Sequence, residues 1–360
     1  MVKTRKMKTG TISTEQFVEG FNPSTVLQEN DFYEKKFYFS YSSLNRLLYC
    51  PEVFYKEYVL GDKEERLEAY FTEGKLIHCM LLQPEEVEKQ FVTMTTKLPS
   101  ENPKMVVDRI YAHHKELLAN GATEKQSLAE YEEAIIDTLK DINLYQSLKT
   151  DAQRIEKMLT PETINYWKFL QTSEGKTLVD FDTYESCKAI VEKIKQDERI
   201  KKLMCLDAKQ EWWTTVEIHN EMPLEMELKR FNFGLKGILD NVIVDPGNGV
   251  IRINDIKRSS KLLKDFPDAI ALYRYDLQAA IYNLLVTNRF QDILSKGYTV
   301  EFRFIVIDKN NQIYPFFVSS ATMKTWTTEL QSVLLKADYH YSNKDYTLPY
   351  EFVQEHGVVL

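Results

Sequence analysis

The chain has 360 residues, 43% apolar and 28% charged, with a formal net charge of −8. These proportions exclude a largely disordered or fibrous chain and leave length for one large core or two modest ones. No apolar run approaches the roughly 20 residues that span a bilayer, and the opening Met1-Val-Lys-Thr-Arg-Lys lacks the apolar segment of a signal peptide, so a cytosolic protein without a membrane partner is expected.

Residues 1–38 are polar without a sustained period and are expected to form an N-terminal arm. Ser40, Ser42 or Ser43 can cap a helix running to about Tyr58, with Leu44, Leu47, Leu48, Phe54, Tyr55 and Tyr58 as its buried stripe and Cys50-Pro51 as an interruption. A second helix is predicted from about Glu64 to Leu82. It carries Gly74 and His78 four residues apart on one face, where the missing side chain of Gly74 permits close approach of another element. A lone histidine on an apolar helix reads either as a satisfied core residue or as a metal ligand. Residues 85–205 are mostly helical and charged. Asp182 or Thr183 is the expected cap of a helix ending near Met204. The cysteines Cys50, Cys79, Cys187 and Cys205 show no paired spacing and are read as free thiols.

From Glu211 the period becomes that of strands. Trp212–Ile218 and Leu224–Phe233 are predicted to form a hairpin, with Glu225 and Glu227 on an exposed polar face. Next come two β-branched runs, Gly237–Asp245 and Val250–Arg258, around Pro246-Gly-Asn-Gly249, which read as an antiparallel hairpin. With that loop, Asp245 pairs with Val250 and Asp240 faces Asp255. Two carboxylates at roughly 5 Å repel, so a positive group is expected between them. Lys257 points the same way as Asp255. A turn centred on Asn248-Gly249 would instead shift the register by two and face Asp240 with Lys257. Either way, two carboxylates and an ammonium share a face, the equipment that holds a hard divalent ion beside a phosphate. The alternative is a solvated strand face with alternating charges.

After Lys257 come Ser259-Ser260-Lys261 and a predicted helix from Pro267 to Val286 that carries Tyr275, Gln278 and Tyr282 on one stripe, all able to reach phosphate or base. A hairpin over 299–308 and 312–319 turns at Asn310-Asn311. A final helix covers Thr322–Lys336, and residues 346–360 form a tail. Strands between helical segments predict an α/β or α+β core with a mixed sheet. Between Lys229 and Arg274, nine Lys or Arg stand against five Asp, a surplus of four in an otherwise acidic chain, as a phosphodiester site requires.

Taken together, Ser42-Ser-Leu-Asn with Cys50-Pro51 and Phe54-Tyr55, Gly74-x-x-x-His78, Gly237-x-x-Asp240, Asp255-Ile-Lys257 and Gln278-x-x-x-Tyr282 resemble, in this order, the RecB-like branch of the PD-(D/E)XK nucleases. Within it the chain is most similar to phage and prophage exonucleases of the RecE type, partly through Tyr275-Asp-Leu-Gln-Ala-Ala-x-Tyr282. The resemblance implies a restriction-endonuclease-like mixed central sheet flanked by helices, with a helical insertion at about 85–205 inside a single nuclease domain over 39–345. It implies His78, Asp240, Asp255 and the Ile256 carbonyl as ligands of Mg²⁺, with Mn²⁺ as substitute, and Lys257 as the residue that orients the attacking water or offsets charge. Asp240, Asp255 and Lys257 form the catalytic set. Gln278, Tyr282, Tyr275, Ser259, Arg258 and Lys236 are the implied DNA contacts. Relatives often carry Thr or Ser after the lysine, where this chain has Arg258, so Ser259 takes the hydroxyl's place. With no cysteine after Cys205, no iron–sulfur cluster is expected.

The implied function is Mg²⁺-dependent exonucleolytic hydrolysis of DNA, resecting linear duplex ends for recombination or repair. An annealing protein is the implied partner and a homo-oligomer the implied assembly, in the cytosol of a bacterium or phage-infected host. The alternatives are an endonuclease or CRISPR spacer-processing nuclease on the same fold, and a catalytically silent DNA-binding or scaffold protein. His78 is expected near Asp240 and Asp255 despite the intervening chain, because a metal needs ligands the hairpin alone cannot supply.

Overall fold

A computed structural model of the chain describes residues 32–62, 69–93, 98–121, 127–173, 175–206 and 216–353. Eight strands are β1 (Tyr38–Phe39), β2 (Phe91–Thr93), β3 (Thr177–Val179), β4 (Glu217–Glu227), β5 (Gly234–Asp245), β6 (Val250–Arg258), β7 (Thr299–Ile307) and β8 (Ile313–Val318). The α-helices of seven or more residues are α1 (Tyr41–Tyr49), α2 (Ala69–Leu82), α3 (Glu101–Ala119), α4 (Glu132–Asp141), α5 (Asp151–Met158), α6 (Pro161–Thr172), α7 (Phe181–Gln196), α8 (Glu198–Met204), α9 (Phe266–Tyr273), α10 (Tyr275–Arg289) and α11 (Ser320–Asn343).

The central sheet is mixed. β5 pairs antiparallel with β4 and β6, β6 parallel with β7, and β7 antiparallel with β8. Along one edge β5 meets β6 at Asn241–Asp245 and β1 at Gly234–Leu235, so residues 236–240 have no ladder partner on that edge among the described residues. The candidate site lies in this gap.

One face of the sheet presents Leu235, Leu239, Ile251, Ile253, Phe302 and Phe304 to α10 and α11, whose Leu277, Ile281, Leu285, Leu330 and Leu334 complete the main core. The other face packs Ile256, Ile305 and Ile307 against Leu76 and Ile77 of α2 and Ile190 and Ile194 of α7. Each such side chain contributes about 1.5–3 kcal/mol on leaving water. Helices α3 to α6 have a core of their own around Val106, Ile110, Ile135, Leu139 and Trp167. The mixed sheet with helices on both faces, and the helical region between α2 and α7, are as the sequence predicts.

Several local expectations change. Ser40 caps α1, accepting from the Ser43 amide at 3.2 Å while Ser43 Oγ accepts from the Ser40 amide at 2.9 Å. After Cys50-Pro51 the chain resumes helix and passes into a π turn at Tyr55–Val59. Of the arm expected over 1–38, residues 1–31 lie outside the described residues; Phe32, Tyr33 and Phe37 pack on the main core. The part of the second predicted helix before Ala69 falls largely at 63–68, outside the described residues. The cap of α7 is Asp180, whose carboxylate accepts from the Thr183 amide at 2.9 Å, rather than Asp182 or Thr183, and Asp197 ends this helix and caps α8. Trp212–Thr215 lie outside the described residues, the turn expected before Leu224 is replaced by one continuous strand, β4, with Glu225 and Glu227 exposed, and residues 228–233 turn the chain into β5 instead of extending a strand. The helix predicted over 267–286 is two helices, broken at Arg274 by a left-handed conformation (φ 59°).

Within β4 and β5 the side-chain alternation changes phase. Leu235 and Leu239 face the main core, yet so do Val242 and Val244, while Asn241 and Ile243 turn to the opposite side, toward Met204 and Cys205. In β4, Met222, Leu224 and Met226 face the main core and Ile218 the opposite side. Both strands switch faces between these groups, at Glu221 (φ 48°) and Asp240. A non-glycine residue with φ above zero in a strand is uncommon and re-aims its side chain.

Candidate active site

The β5–β6 hairpin has the predicted register, with Asp245 opposite Val250 and Asn241 opposite Asn254, which excludes the register shifted by two. The ladder stops one step before Asp240 and Asp255. There the Asp240 carboxylate substitutes for a backbone acceptor, Oδ2 taking the Ile256 N–H at 2.6 Å. Asp255 is 1% exposed. Its Oδ2 lies 2.5 Å from Lys257 Nζ, and its Oδ1 is buried with no hydrogen-bond partner among the described residues. The ammonium expected between the carboxylates is therefore Lys257, held over the Tyr275 ring at 5.0 Å from its centroid.

His78, from α2, reaches this point across 178 residues of chain: its Nε2 is 3.2 Å from the Ile256 carbonyl oxygen. Nδ1 is 3.5 Å from Asp240 Oδ1 and 3.8 Å from Glu221 Oε1. Glu221 is the residue that sequence reasoning missed. Asn220-Glu-Met-Pro223 reads as a turn because of its polar residues and proline, whereas it lies within β4. The available signal is register: β4 pairs Asn220 with Asn241 and Met222 with Leu239, which sets Glu221 opposite Asp240. Ligand atoms of His78, Glu221 and Asp240 lie within 4.8 Å of one another, the one such group of three among the described residues. Asp255 is not in that group; its carboxylate stands beside it, turned to Lys257.

Burial opposes charging His78, but the Asp240 carboxylate and Glu221 together raise its pKa to about 10. Burial would raise Asp240 too, yet His78, Lys257 and the Ile256 N–H hold it below its ordinary value. Asp255 goes the other way: burial, reinforced by Asp240, lifts it against the pull of Lys257. Buried carboxylates with opposite shifts, one with an oxygen lacking any donor, form a site short of positive charge. Carboxylates, one imidazole and a backbone carbonyl suit a divalent cation such as Mg²⁺ or Mn²⁺, and Asp255 Oδ1 has no hydrogen-bond partner among the described residues to compete with one. The residues present fit such an ion.

The six candidate DNA contacts fare differently. Lys236 is exposed, two alternations before Asp240 on its strand. Gln278 and Tyr282 are 8% and 7% exposed, and Gln278 Nε2 donates to the Tyr282 hydroxyl at 3.1 Å. The Tyr282 ring covers Gly237, where an added Cβ would come within 2.6 Å of Cε1; this close approach is why Gly237-x-x-Asp240 needs its glycine. In place of reaching outward, this pair buttresses the strand that carries Asp240. Tyr275 is half-buried under Lys257 and stacks near Phe266. Ser259 is buried, its Oγ accepting from the Lys261 amide at 3.1 Å. Arg258 turns inward to Glu73 at 3.4 Å and to the Asp308 carbonyl. Gln278, Tyr282, Ser259 and Arg258 thus each make a contact inside the fold.

A family model for the PD-(D/E)XK nuclease superfamily matches residues 143–343, which include Glu221, Asp240, Asp255 and Lys257. No curated protein matches the chain. A crystal structure described as "Putative exonuclease" from Eubacterium rectale aligns with 98% of this chain and 95% of its own, at 13% identity and a TM-score of 0.43. With the family model covering more than half of the 360 residues, the chain belongs to the PD-(D/E)XK nuclease superfamily.

Proposed function

We propose that this chain is a Mg²⁺-dependent deoxyribonuclease that hydrolyses phosphodiester bonds from the ends of duplex DNA. The observation that carries the reading is the convergence of His78, Glu221 and Asp240 within 4.8 Å, beside an Asp255–Lys257 pair at 2.5 Å. His78, Asp240, Asp255 and the Ile256 carbonyl would hold the ion, with Glu221 as a further ligand. Bound there, a divalent ion supplies Lewis acidity toward the phosphate and toward water. Lys257 is held by Asp255 and Tyr275 with its ammonium beside the site, where it donates to a phosphate oxygen as charge builds during attack at phosphorus. As the oxygen of water bonds to phosphorus it gives up one proton, and the bond to the departing sugar oxygen breaks with its electron pair on that oxygen. That oxygen takes up a proton, so no net proton is gained or lost by the leaving hydroxyl and the water together.

The preference for ends rests on the resemblance to RecE-type exonucleases and on charge. The chain carries a net −8, so long duplex is repelled except along a local basic passage. Lys236 and Lys264 are exposed and supply part of it, while Arg252, Arg258 and Arg274 are paired with Asp245, Glu73 and Asp276. On the same resemblance the proposed setting is the cytosol, with a single-strand annealing protein as the proposed partner and a homo-oligomer as the proposed assembly. Among the described residues no helix is long and apolar enough to cross a membrane.

The test compares a linear duplex with the same DNA as a relaxed covalently closed circle, with Mg²⁺ and with EDTA. Degradation of the linear form alone, only with Mg²⁺, is the expected result. Equal cleavage of both forms replaces the exonuclease with an endonuclease, and no cleavage of either favours a DNA-binding scaffold.

A further inference from the structure

Alongside the carboxylates, on the side of the sheet that meets the end of α8, runs a row of amides. Asn220, Asn241 and Asn254 stand side by side across β4, β5 and β6. Each immediately adjoins an acidic residue of the site: Glu221, Asp240 and Asp255 respectively. Asn254 Nδ2 donates to Asn241 Oδ1 at 2.7 Å, and Asn241 Nδ2 to Asn220 Oδ1 at 2.8 Å. The row is anchored at helix ends, where carbonyls lack partners within the helix. Asn254 Nδ2 also reaches the Leu203 carbonyl at 3.1 Å, Asn241 Nδ2 the Met204 carbonyl at 3.3 Å, and Asn220 Nδ2 the Leu82 carbonyl at 3.1 Å. Asn241 and Asn254 have no exposed surface, and Asn220 forms the solvent end.

Three side-by-side asparagines would be a register device in any sheet. Here their position gives them a narrower task. β4 and β5 change faces at Glu221 and Asp240, so the regular pleat does not fix where those two carboxylates point. The amides hold each strand one residue away from that change. The last link, Asn220 to the Leu82 carbonyl, ties the row to the end of α2, one turn beyond His78. All four ionisable ligand candidates, three on strands and one on a helix, are thus referred to one hydrogen-bonded chain.

We propose that Asn220, Asn241 and Asn254 are positioning residues that hold Glu221, Asp240, Asp255 and His78 in the geometry that binds the divalent ion. This rests on the reading of the site as a metal centre. It separates from a merely structural role because the binding of Mn²⁺ to the folded chain, without DNA, depends on ligand geometry.

The experiment titrates Mn²⁺ alone into the full chain by calorimetry, for the unaltered protein, Asp240→Ala, Asn220→Leu and Asn241→Leu, with folding checked by circular dichroism in EDTA. Asp240→Ala is expected to abolish binding. Asn220→Leu is expected to weaken Mn²⁺ affinity about tenfold and Asn241→Leu up to about a hundredfold, the range found when groups supporting ligands are removed. Asn241→Leu leaves buried partners unpaired and threatens the fold, so the decisive variant is Asn220→Leu at the solvent end, with Asn220→Ala as its smaller counterpart. Unchanged Mn²⁺ affinity in folded Asn220→Leu and Asn220→Ala chains overturns the positioning role and leaves the metal centre standing. Failure of the unaltered chain to bind Mn²⁺ overturns both.

Discussion

Two histidines on two long helices show how differently the halves of this molecule use polar groups. His114, on α3, is 3% exposed in the core of the helical region, where its Nδ1 lies 2.5 Å from the Tyr131 hydroxyl. Nearby, Tyr166 donates to Asp108 at 2.6 Å. In each pair a hydroxyl meets a polar partner, and aromatic rings pack around His114. His78, on α2, meets two carboxylates, a backbone carbonyl and, beyond them, a buried carboxylate oxygen with no donor. The helical region resolves its polarity locally, whereas the sheet gap concentrates negative charge that a cation would neutralise. Stability and chemistry should therefore separate by region.

The largest expected separation is at the sheet gap. Asp255→Asn and Lys257→Ala should each lower hydrolysis by about a thousandfold or more, the scale of losing groups that offset charge in the transition state. Both should keep the fold and DNA binding, because phosphate contacts along the duplex come from other residues. Single-turnover rates and gel-shift binding on the purified variants check this; rates equal to the unaltered protein would remove both residues from the reaction. In the helical region the expectation inverts. Trp167 is fully buried, and Trp167→Ala should cost about 3–5 kcal/mol of stability, measured by urea unfolding, with the rate per folded molecule unchanged.

How much of this was legible in the sequence depends on the range of the interaction involved. The side shared by Asp255 and Lys257 is set by residues two positions apart and reads directly, while local sequence narrows the hairpin register to two alternatives and the cap of α1 to Ser40, Ser42 or Ser43. His78 was placed by the chemical need for another ligand and by the resemblance. Glu221 stayed hidden because its polar, proline-containing surroundings imitate a turn, and only the pairing of β4 with β5 makes it a neighbour of Asp240. The packing of Tyr282 on Gly237 stayed hidden because a helical stripe of amide and phenols does not reveal which face the sheet covers. The break at Arg274 uses a left-handed conformation in a residue type that rarely adopts it, so no glycine marked it.

The charge comparison sharpens with pH. His78, raised to about 10, is protonated in the metal-free chain at neutral pH. Its ion pairing with Asp240 and Glu221 stabilises the fold fully below the ordinary histidine range, and the contribution is lost as pH rises toward 10. Asp255, raised to about 6, likewise favours the fold when protonated and loses that contribution as pH rises through 6. Below about pH 6 a cation must displace both protons, and between about 6 and 10 chiefly that of His78. Mn²⁺ affinity should therefore rise with pH while metal-free stability falls, by up to about tenfold in affinity per pH unit for each proton displaced. Calorimetric titrations at pH 5.5, 7 and 8.5 check the affinity, and thermal melts in EDTA check the stability. A pH-independent affinity would show that His78 and Asp255 are not ligands.

The smallest expected effect lies on the boundary between the two kinds of construction, at Gly237. Its backbone runs under the Tyr282 ring, and an alanine Cβ there would stand 2.6 Å from Cε1, 3.2 Å from Cδ1 and 3.3 Å from Leu285 Cδ1. Neither ring nor strand can give way freely, since Tyr282 is held by Gln278 and β5 by β4 on its other edge. Overpacking of this kind costs about 1–3 kcal/mol, a modest loss beside Trp167→Ala. Its direction matters more, because Gly237 is three residues from Asp240 on a stretch of β5 without a ladder partner on the β6 edge. Strain that cannot move the ring should move this stretch and shift the Asp240 carboxylate relative to His78. Gly237→Ala is thus expected to lower hydrolysis by about tenfold, beyond what lost stability explains at a temperature where the variant stays folded. Tyr282→Leu in the Gly237→Ala background removes the ring atoms that clash and should restore part of the rate. If the double variant is no faster than Gly237→Ala alone, Tyr282 does not act on Asp240 through this contact.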